Sequence, residues 1–169
     1  KLSALIKGVW GKDAKVFQGG RGLRIRVYSK AIVWRLTKEF SLPCNEGKCY
    51  SVFIPQKLAN DFGMCRHIIR GIADTDGSVF VSDKPGSPNY PSLEITTSST
   101  ALASGLREIL LCNGFRVTKI RQSFSKLSKA PSYKVCLYGK ANLKKWIHEI
   151  GFSNPVKLRK ALAALNAGF

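Results

Sequence analysis

The chain has 169 residues, of which 44% are hydrophobic, enough for a folded core in one ordinary domain or two small modules. Twenty-eight Lys and Arg against ten Asp and Glu give a formal net charge of +18, more than solubility requires, which indicates a polyanionic partner. No apolar run reaches the roughly 18 residues of a spanning helix, so no membrane association is expected.

The basic excess extends along the whole chain. Residues 1–63 hold twelve basic and four acidic residues (+8), and residues 64–169 hold sixteen and six (+10). This distribution favours a folded, positive surface over a basic tail. Five cysteines without a CxxC pair argue against a disulfide framework and a structural zinc site. They suggest a reducing compartment, the cytoplasm of a prokaryotic cell or an organelle, rather than secretion.

The first part of the chain begins with an apolar helical segment, Leu5 to Phe17, followed by a Gly-rich turn. An alternating strand is predicted over Leu23 to Tyr28 and an amphipathic helix over about 30–40. A further strand is predicted to end at Ile54-Pro55. The interval between Ser41 and Asn45 leaves little room for another strand before it.

The second part of the chain repeats this order at greater length. The predicted elements are a helix over 67–76, a turn over 84–91, a strand over 93–97, a helix over 100–112, two strands flanking a basic turn at 123–132, and helices over 142–149 and 155–165. Each part therefore reads helix, two strands, helix, two strands, helix.

A direct repeat supports this division. Leu5 to Phe17 (LIKGVWGKDAKVF) aligns without a gap on Ile68 to Phe80 (IIRGIADTDGSVF) at an offset of 63. Gly8 matches Gly71, and Asp13 matches Asp76. The repeat predicts two domains, 1–63 and 64–169, the first with a degenerate copy of the segment.

The repeated segment carries acids at the end of a helix. A carboxylate there faces unsatisfied carbonyls and the negative end of the helix dipole, which is unfavourable unless a cation is present. Carboxylate and carbonyl oxygens are ligands of Mg²⁺, and paired metals can assist phosphodiester displacement. Asp76 and Asp13 are therefore the candidate metal ligands, whereas Asp74, matched by Gly11, is expected to have a capping and hydrogen-bonding role. A glycine inside each helix suggests close approach of another backbone.

Ile69 to Gly77 (IRGIADTDG) resembles the motif of the LAGLIDADG homing endonucleases, and Glu149 to Lys157 (EIGFSNPVK) resembles their C-terminal region. The resemblance covers nearly all of residues 65–165 and, through the repeat, residues 1–63 more weakly. It implies an α+β fold of two αββαββα units related by pseudo-twofold symmetry, whose antiparallel sheets form a saddle over double-stranded DNA.

The same resemblance implies the site. The last acid of each motif, Asp76 and Asp13, would bind Mg²⁺ or another hard divalent cation beside a scissile phosphate, helped by the carbonyls of Thr75 and Lys12. A lysine near the phosphate is expected from a late strand, and the candidate is Lys140, with Lys134 behind it. Two motifs in one chain favour a monomer acting as a pseudo-dimer, with a homodimer as the alternative.

The predicted strands offer residues for contacting DNA. In Leu23 to Tyr28 apolar and polar residues alternate, which predicts a strand with a basic outer face. A two-stranded ribbon fits the major groove, where Arg, Lys and Gln pair with base edges. The candidates are Arg24, Arg26, Tyr28, Lys119, Arg121, Gln122 and Lys134, with Lys126 and Lys129 expected at phosphates.

Three functional interpretations follow. The first is a metal-dependent, site-specific endonuclease that hydrolyses both strands of a long duplex target. The second is an intron RNA maturase or a non-cleaving nucleic-acid-binding protein on the same scaffold, which would not need Asp76 or Asp13. The third, a basic RNA-binding protein of another kind, predicts exposed aromatic stacking platforms, and no such cluster is evident.

Overall fold

The computed structural model describes residues 2–19, 22–44, 46–124 and 130–166. The chain divides into two compact units, Lys1–Leu42 and Pro43–Phe169. The units divide after Leu42, whereas the repeat in the sequence led us to expect a boundary after residue 63. None of the described helices is long and apolar enough to cross a membrane.

The first unit contains the first four elements of the expected order. Its elements are helix α1 (Leu2–Trp10), strands β1 (Lys15–Gly19) and β2 (Gly22–Arg26), and helix α2 (Lys30–Trp34), which continues as a π-helical segment (Arg35–Glu39). The two strands form an antiparallel hairpin. The Ser29 side chain caps α2 by accepting a hydrogen bond from the Ile32 amide. No described residue of this unit is buried, so the unit has no apolar core of its own.

The strand expected to end at Ile54-Pro55 is not formed. The structure has a short helix there instead, α3 (Lys48–Ser51), which begins after Gly47 in the left-handed conformation (φ 74°). The chain leaves this helix in an extended conformation, and Val52 and Ile54 pack on the core of the second unit. Pro55 then precedes helix α4 (Gln56–Ala59), where its missing N–H costs nothing.

The second unit has the expected αββαββα order with one helix added at its end. After α3 and α4 come α5 (Phe62–Asp76), β3 (Gly77–Lys84), β4 (Ser87–Thr97), α6 (Thr100–Cys112), β5 (Arg121–Ser123), β6 (Ser132–Tyr138), α7 (Lys140–Glu149) and α8 (Pro155–Asn166). The four strands form an antiparallel sheet in the order β3-β4-β6-β5. The α+β fold class is confirmed.

One apolar cluster fills the space between the sheet and its helices. Alternate residues of the central strands point into it, including Leu93 and Ile95 from β4 and Val135 from β6. Helix α7 contributes Trp146, which is completely buried. The other residues of these strands form the opposite side of the sheet, which we call the outer face.

The segment before α5 belongs to this second unit. Ser99, the cap of α6, donates its hydroxyl hydrogen to the Val52 carbonyl at 2.6 Å and accepts from the Leu102 amide at 3.2 Å. Ile54 lies in the apolar cluster. Val52, Ile54 and Ala59 therefore complete the core of the second unit instead of a sheet in the first.

Candidate active site and nucleic-acid interface

Helix α5 presents Asp76 at its last position. The helix begins after Asp61, whose carboxylate accepts from the Met64 amide, and it buries Cys65, Ile69 and Ala73, spaced four residues apart on one face. Asp76 itself is exposed. The apolar face thus fixes the helix on the core and leaves the terminal carboxylate open to solvent.

Gly77 allows the chain to turn from α5 directly into β3. Its amide bonds to the Ala73 carbonyl, and a Cβ built on Gly77 would lie 2.4 Å from that carbonyl oxygen. Its φ of −81° is ordinary, so the glycine is required by close approach and not by an unusual backbone angle. Gly71 differs, because within the second unit nothing lies within 4 Å of a Cβ built there.

Asp74 joins the end of α5 to the start of α8. Its Oδ2 accepts from the Ser153 amide at 2.9 Å and its Oδ1 from the Asn154 amide at 3.1 Å. Asn154 in turn caps α8, since its Oδ1 accepts from the Val156 amide at 3.0 Å. The hydrogen-bonding role expected for Asp74 is confirmed. One turn earlier, the Arg70 guanidinium donates to the Ile150 carbonyl and braces the same junction.

Lys157, in the first turn of α8, brings a positive charge to the C-terminus of α5. Its Nζ donates to the carbonyls of Ala73 at 2.8 Å and Thr75 at 3.1 Å. Partial burial lowers the pKa of the Lys157 ammonium, and the carboxylates of Asp74 and Asp76 offset only part of that effect. A cation is favourable here because α5 ends with unsatisfied carbonyls and the negative end of its dipole.

Lys157 is the functional candidate that sequence reasoning passed over. In the sequence, Lys157 is noted only as the last residue of EIGFSNPVK, 81 residues after Asp76. The available signal was Asn154, a capping residue whose position three residues earlier places Lys157 in the first helical turn. Nothing in the sequence shows, however, that this turn meets the end of α5.

The structure places Lys140 away from Asp76. Lys140 begins α7 and follows Gly139, whose amide bonds to the Pro91 carbonyl. Pro91 pairs with Val81, five residues beyond Asp76 along the strand. At about 3.3 Å per residue, this register separates the two levels by roughly 16 Å along the strand. The catalytic role of Lys140 stays a prediction, without support from this register.

Asp13 has a different local structure from Asp76. Helix α1 ends before Gly11, which adopts φ 61°, so Asp13 lies beyond the helix, in the segment leading to β1. Its carboxylate forms an ion pair with Lys7 at 2.9 Å, and 80% of the Asp13 side chain is exposed. This pair raises the pKa of the Lys7 ammonium through its hydrogen bond and charge. The pairing of Asp13 with Asp76 in one catalytic centre stays a prediction.

The donor set at the end of α5 suits a hard cation. Asp76 offers an exposed carboxylate and Thr75 a backbone carbonyl, and Mg²⁺ prefers one or two such oxygens with the rest of its shell left to water and phosphate. In the parts of the chain that the structure describes, no three His, Cys, Asp or Glu side chains form a metal-binding group. The Thr75 carbonyl also accepts a hydrogen bond from Lys157, so a bound cation and the Lys157 ammonium would share this oxygen.

The hairpin of the first unit exposes the residues predicted to contact DNA. Arg24 and Arg26 in β2 are exposed, and so is Tyr28, which lies two residues beyond the end of that strand. The guanidinium of Arg26 lies 5.4 Å from the ring centroid of Phe17, a cation–π contact. The apolar alternates Leu23 and Ile25 are also exposed, so the alternation does not bury one face of this hairpin.

One edge of the second unit's sheet holds the remaining DNA-contact candidates that the structure describes, and Arg121 and Lys134 lie there on the outer face. Arg121 and Gln122 lie in β5 and are exposed, Lys134 lies beside them in β6 and is partly buried, and Lys119 is exposed just before β5. These residues lie together on or beside one edge of the sheet. Lys126 and Lys129, expected at phosphates, lie outside the described residues.

A comparison with known protein families agrees with this architecture. The model of the LAGLIDADG-like domain matches residues 64–151, which are 88 of the 169 residues and include nearly all of α5, all four strands of the larger sheet, and helices α6 and α7. No curated protein matches the chain. Since the family model covers more than half of the sequence and lies within the folded unit that carries Asp76, the chain belongs to the LAGLIDADG-like family.

Proposed function

We propose that the protein is a site-specific endonuclease that hydrolyses both strands of a long double-stranded DNA target with Mg²⁺ or another hard divalent cation. The observation that carries the proposal is the exposed Asp76 carboxylate at the end of a helix whose terminus is braced by neighbouring segments. The net charge of +18 and the basic residues on the outer face support a nucleic-acid partner.

The residues around Asp76 would hold the reacting groups in place. Asp76 and the Thr75 carbonyl would bind the metal, and Gly77 and Asp74 fix the end of α5 from which both project. The bound metal would supply Lewis-acid activation of the phosphate and an activated water. The protein itself contributes a carboxylate on a fixed helix end, because α5 is anchored by its buried face and by α8.

Lys157 would place a positive charge beside the scissile phosphate. A lysine ammonium has three donors, and the carbonyls of Ala73 and Thr75 accept two of them in the described structure. The third donor can bind a phosphate oxygen and stabilise the charge that develops there. We therefore assign to Lys157 the basic role that the family resemblance led us to expect of Lys140.

Cleavage of both strands requires a second centre. In this proposal Asp13, with the Lys12 carbonyl, forms that centre within the same chain, which then acts as a monomeric pseudo-dimer. A homodimer in which each chain contributes Asp76 is the alternative.

The first experiment compares Asp76→Asn with Glu108→Gln. Both variants remove one negative charge, but Glu108 is exposed on α6, a helix packed on the opposite side of the sheet from the outer face. A duplex library with randomised sequence is incubated with Mg²⁺, and cleaved ends are captured by adaptor ligation and sequenced. We expect the wild-type protein and Glu108→Gln to give the same cleaved sites and Asp76→Asn to lose at least one strand break. Unchanged cutting of both strands by Asp76→Asn would contradict the proposal, and duplex binding without cleavage by the wild type would favour the non-cleaving alternative.

A second comparison tests the lysine. Lys157→Met removes the ammonium at the end of α5, whereas Lys160→Met removes an exposed charge one turn further along α8. We expect Lys157→Met to lower the cleavage rate at saturating protein by about 10²-fold or more, the usual range for a group that stabilises transition-state charge. Equal rates for the two variants would remove Lys157 from the site.

A further inference from the structure

A single carboxylate connects the basic residues of the outer face. Glu94, in the middle of β4, accepts from Lys134 Nζ through Oε1 at 2.8 Å and from Arg121 Nη2 through Oε2 at 3.2 Å. Arg121 Nη2 also donates to the Tyr138 hydroxyl at 2.8 Å and contacts Cys136 Sγ at 3.3 Å. The strands β4, β6 and β5 are neighbours, so these side chains form one cross-strand group, which we call the Glu94 cluster.

The carboxylate of the Glu94 cluster is more buried than that of an ordinary surface ion pair. Only 14% of the Glu94 side chain is exposed, against 56% for Arg121 and 32% for Lys134. Burial raises the pKa of the Glu94 carboxyl, but the hydrogen bond and charge of Lys134, with Cys136 and Arg121, outweigh it and hold the pKa below its usual value. The carboxylate is therefore charged at neutral pH and holds two cations.

An acid at this place is unfavourable for a surface that only attracts phosphates. The chain has ten acidic residues against twenty-eight basic ones, and one of the ten lies among the cations of the outer face. Glu94 cancels one of the two positive charges it contacts and would repel a nearby phosphate. The compensating benefit is geometric, because a guanidinium and an ammonium held by hydrogen bonds lose less freedom when they bind a base edge.

We propose that Glu94 is a specificity-determining positioning residue, which orients Arg121 and Lys134 towards base edges in the major groove and weakens their binding to phosphates. This inference rests on the proposed function, since it assumes that the outer face contacts duplex DNA. Glu94 thereby lowers the affinity for random sequence and sharpens the preference among sequences.

The test compares Glu94→Gln with Glu108→Gln. Both substitutions raise the net charge by one, and only the first lies in the cluster. Binding of a fluorescent 30-base-pair random duplex is measured by anisotropy between 50 and 200 mM salt. We expect Glu94→Gln to bind more tightly at low salt and to lose affinity more steeply. Each added phosphate contact steepens the slope by about 0.9, a further loss of about 3.5-fold over this salt range. Glu108→Gln should match the wild type.

A second variant separates position from charge. Glu94→Gln combined with Lys134→Gln restores the net charge of the cluster but leaves Arg121 without its carboxylate partner. We expect the double variant to lose the added affinity of Glu94→Gln for random duplex, and to select a broader set of sequences from a randomised duplex library than Lys134→Gln alone, in which Glu94 still holds Arg121. Thermal unfolding of every variant checks that the sheet is intact. If Glu94→Gln unfolds because Lys134 has lost its partner, the double variant still allows the comparison, since it lacks that lysine.

The outcomes distinguish the two proposals. The role of Glu94 would be overturned if the wild type, Glu94→Gln and the double variant showed the same random-duplex affinity, the same salt slope and the same selected sequences. The endonuclease assignment would then stay intact. A wild-type protein that does not bind the random duplex even at 50 mM salt would overturn both.

Discussion

At the residue scale, Gly77 is a position in the site where a single added carbon atom, a Cβ, has no room. A methyl group there would lie 2.4 Å from the Ala73 carbonyl oxygen and 3.0 Å from the Ala73 Cα, both in backbone that cannot rotate away. We expect Gly77→Ala to lower the free energy of unfolding by about 1–3 kcal/mol, the usual cost of overpacking. The measurement is urea denaturation of the protein without DNA.

Gly71→Ala is the matched control for Gly77→Ala. Within the second unit, nothing lies within 4 Å of a Cβ at Gly71, and alanine inside a helix is favoured over glycine by about 0.5–1 kcal/mol. We expect this variant to be unchanged or slightly more stable. Equal destabilisation by both substitutions would show that glycine at Gly77 is not required by contact with Ala73.

A second effect at the residue scale is the contribution of the Glu94 ion pairs to stability, which should depend on pH. Because its folded-state pKa is below the unfolded value, Glu94 contributes stability that is present above the ordinary pKa, about 4.3, and is lost as pH falls through the folded value. We expect the stability difference between wild type and Glu94→Gln to be constant between pH 6 and 8 and to shrink below about pH 5. A difference that stays constant down to pH 3 would contradict the ion-paired state.

Which site residues the sequence could reveal depends on how local their contacts are. Asp76 and Asp74 were found because their roles follow from their position at a helix end. Lys157 was missed because its partners, Ala73 and Thr75, lie more than 80 residues away. Lys140 is the candidate from the sequence because it follows a predicted strand. The sequence does not show how that strand pairs with its neighbours, and this pairing places the end of the strand at the level of Val81.

At the scale of elements, the segment before α5 differs most from the prediction made from the sequence. Residues 48–55 include Cys49, Tyr50, Val52 and Ile54, types that favour strands, and they were predicted to pair in a first-half sheet. The structure gives a helical turn and an extended stretch, because Val52 and Ile54 pack on the second unit's core and Ser99 bonds to the Val52 carbonyl. Helices α5 and α6 were predictable because their apolar periodicity coincides with their buried faces.

This packing predicts where the second unit can be truncated. A fragment of residues 43–169 should be more stable than one of 64–169 by about 3–6 kcal/mol, since the shorter one loses the burial of Ile54 and the acceptor of Ser99. Urea denaturation of both fragments measures the difference. Ser99→Ala in the longer fragment should cost about 0.5–2 kcal/mol through the lost cap and serves as the internal reference. Fragments of equal stability would mean that residues 43–63 do not complete this core.

At the scale of the whole molecule, the two copies of the repeated segment have become unequal. The second copy ends in an acid on a helix end that Gly77, Asp74 and Lys157 hold in place, within a unit that has its own apolar core. The first copy ends its helix at Gly11, and the described residues of its unit include no buried side chain and no counterpart of α8. The repeat predicts which positions of the two copies are equivalent. It does not predict the contacts that neighbouring segments make with each helix end, and these contacts differ between the two copies.

This inequality predicts that the two strands are cut at different rates. Asp13 lies beyond the end of α1 and its ion pair with Lys7 is a surface pair of little energy, whereas the helix end that carries Asp76 is held by the core and by α8. In a time course on a supercoiled plasmid that carries the selected target, we expect the wild type to accumulate nicked circles before linear product. Asp13→Asn should stop at nicked circles, because the centre at Asp76 still cuts its strand, whereas Asp76→Asn should leave most of the plasmid supercoiled. If Asp13→Asn instead linearised the plasmid at the wild-type rate, Asp13 would lie outside the chemistry, and the second strand would have to be cut by Asp76 of another chain.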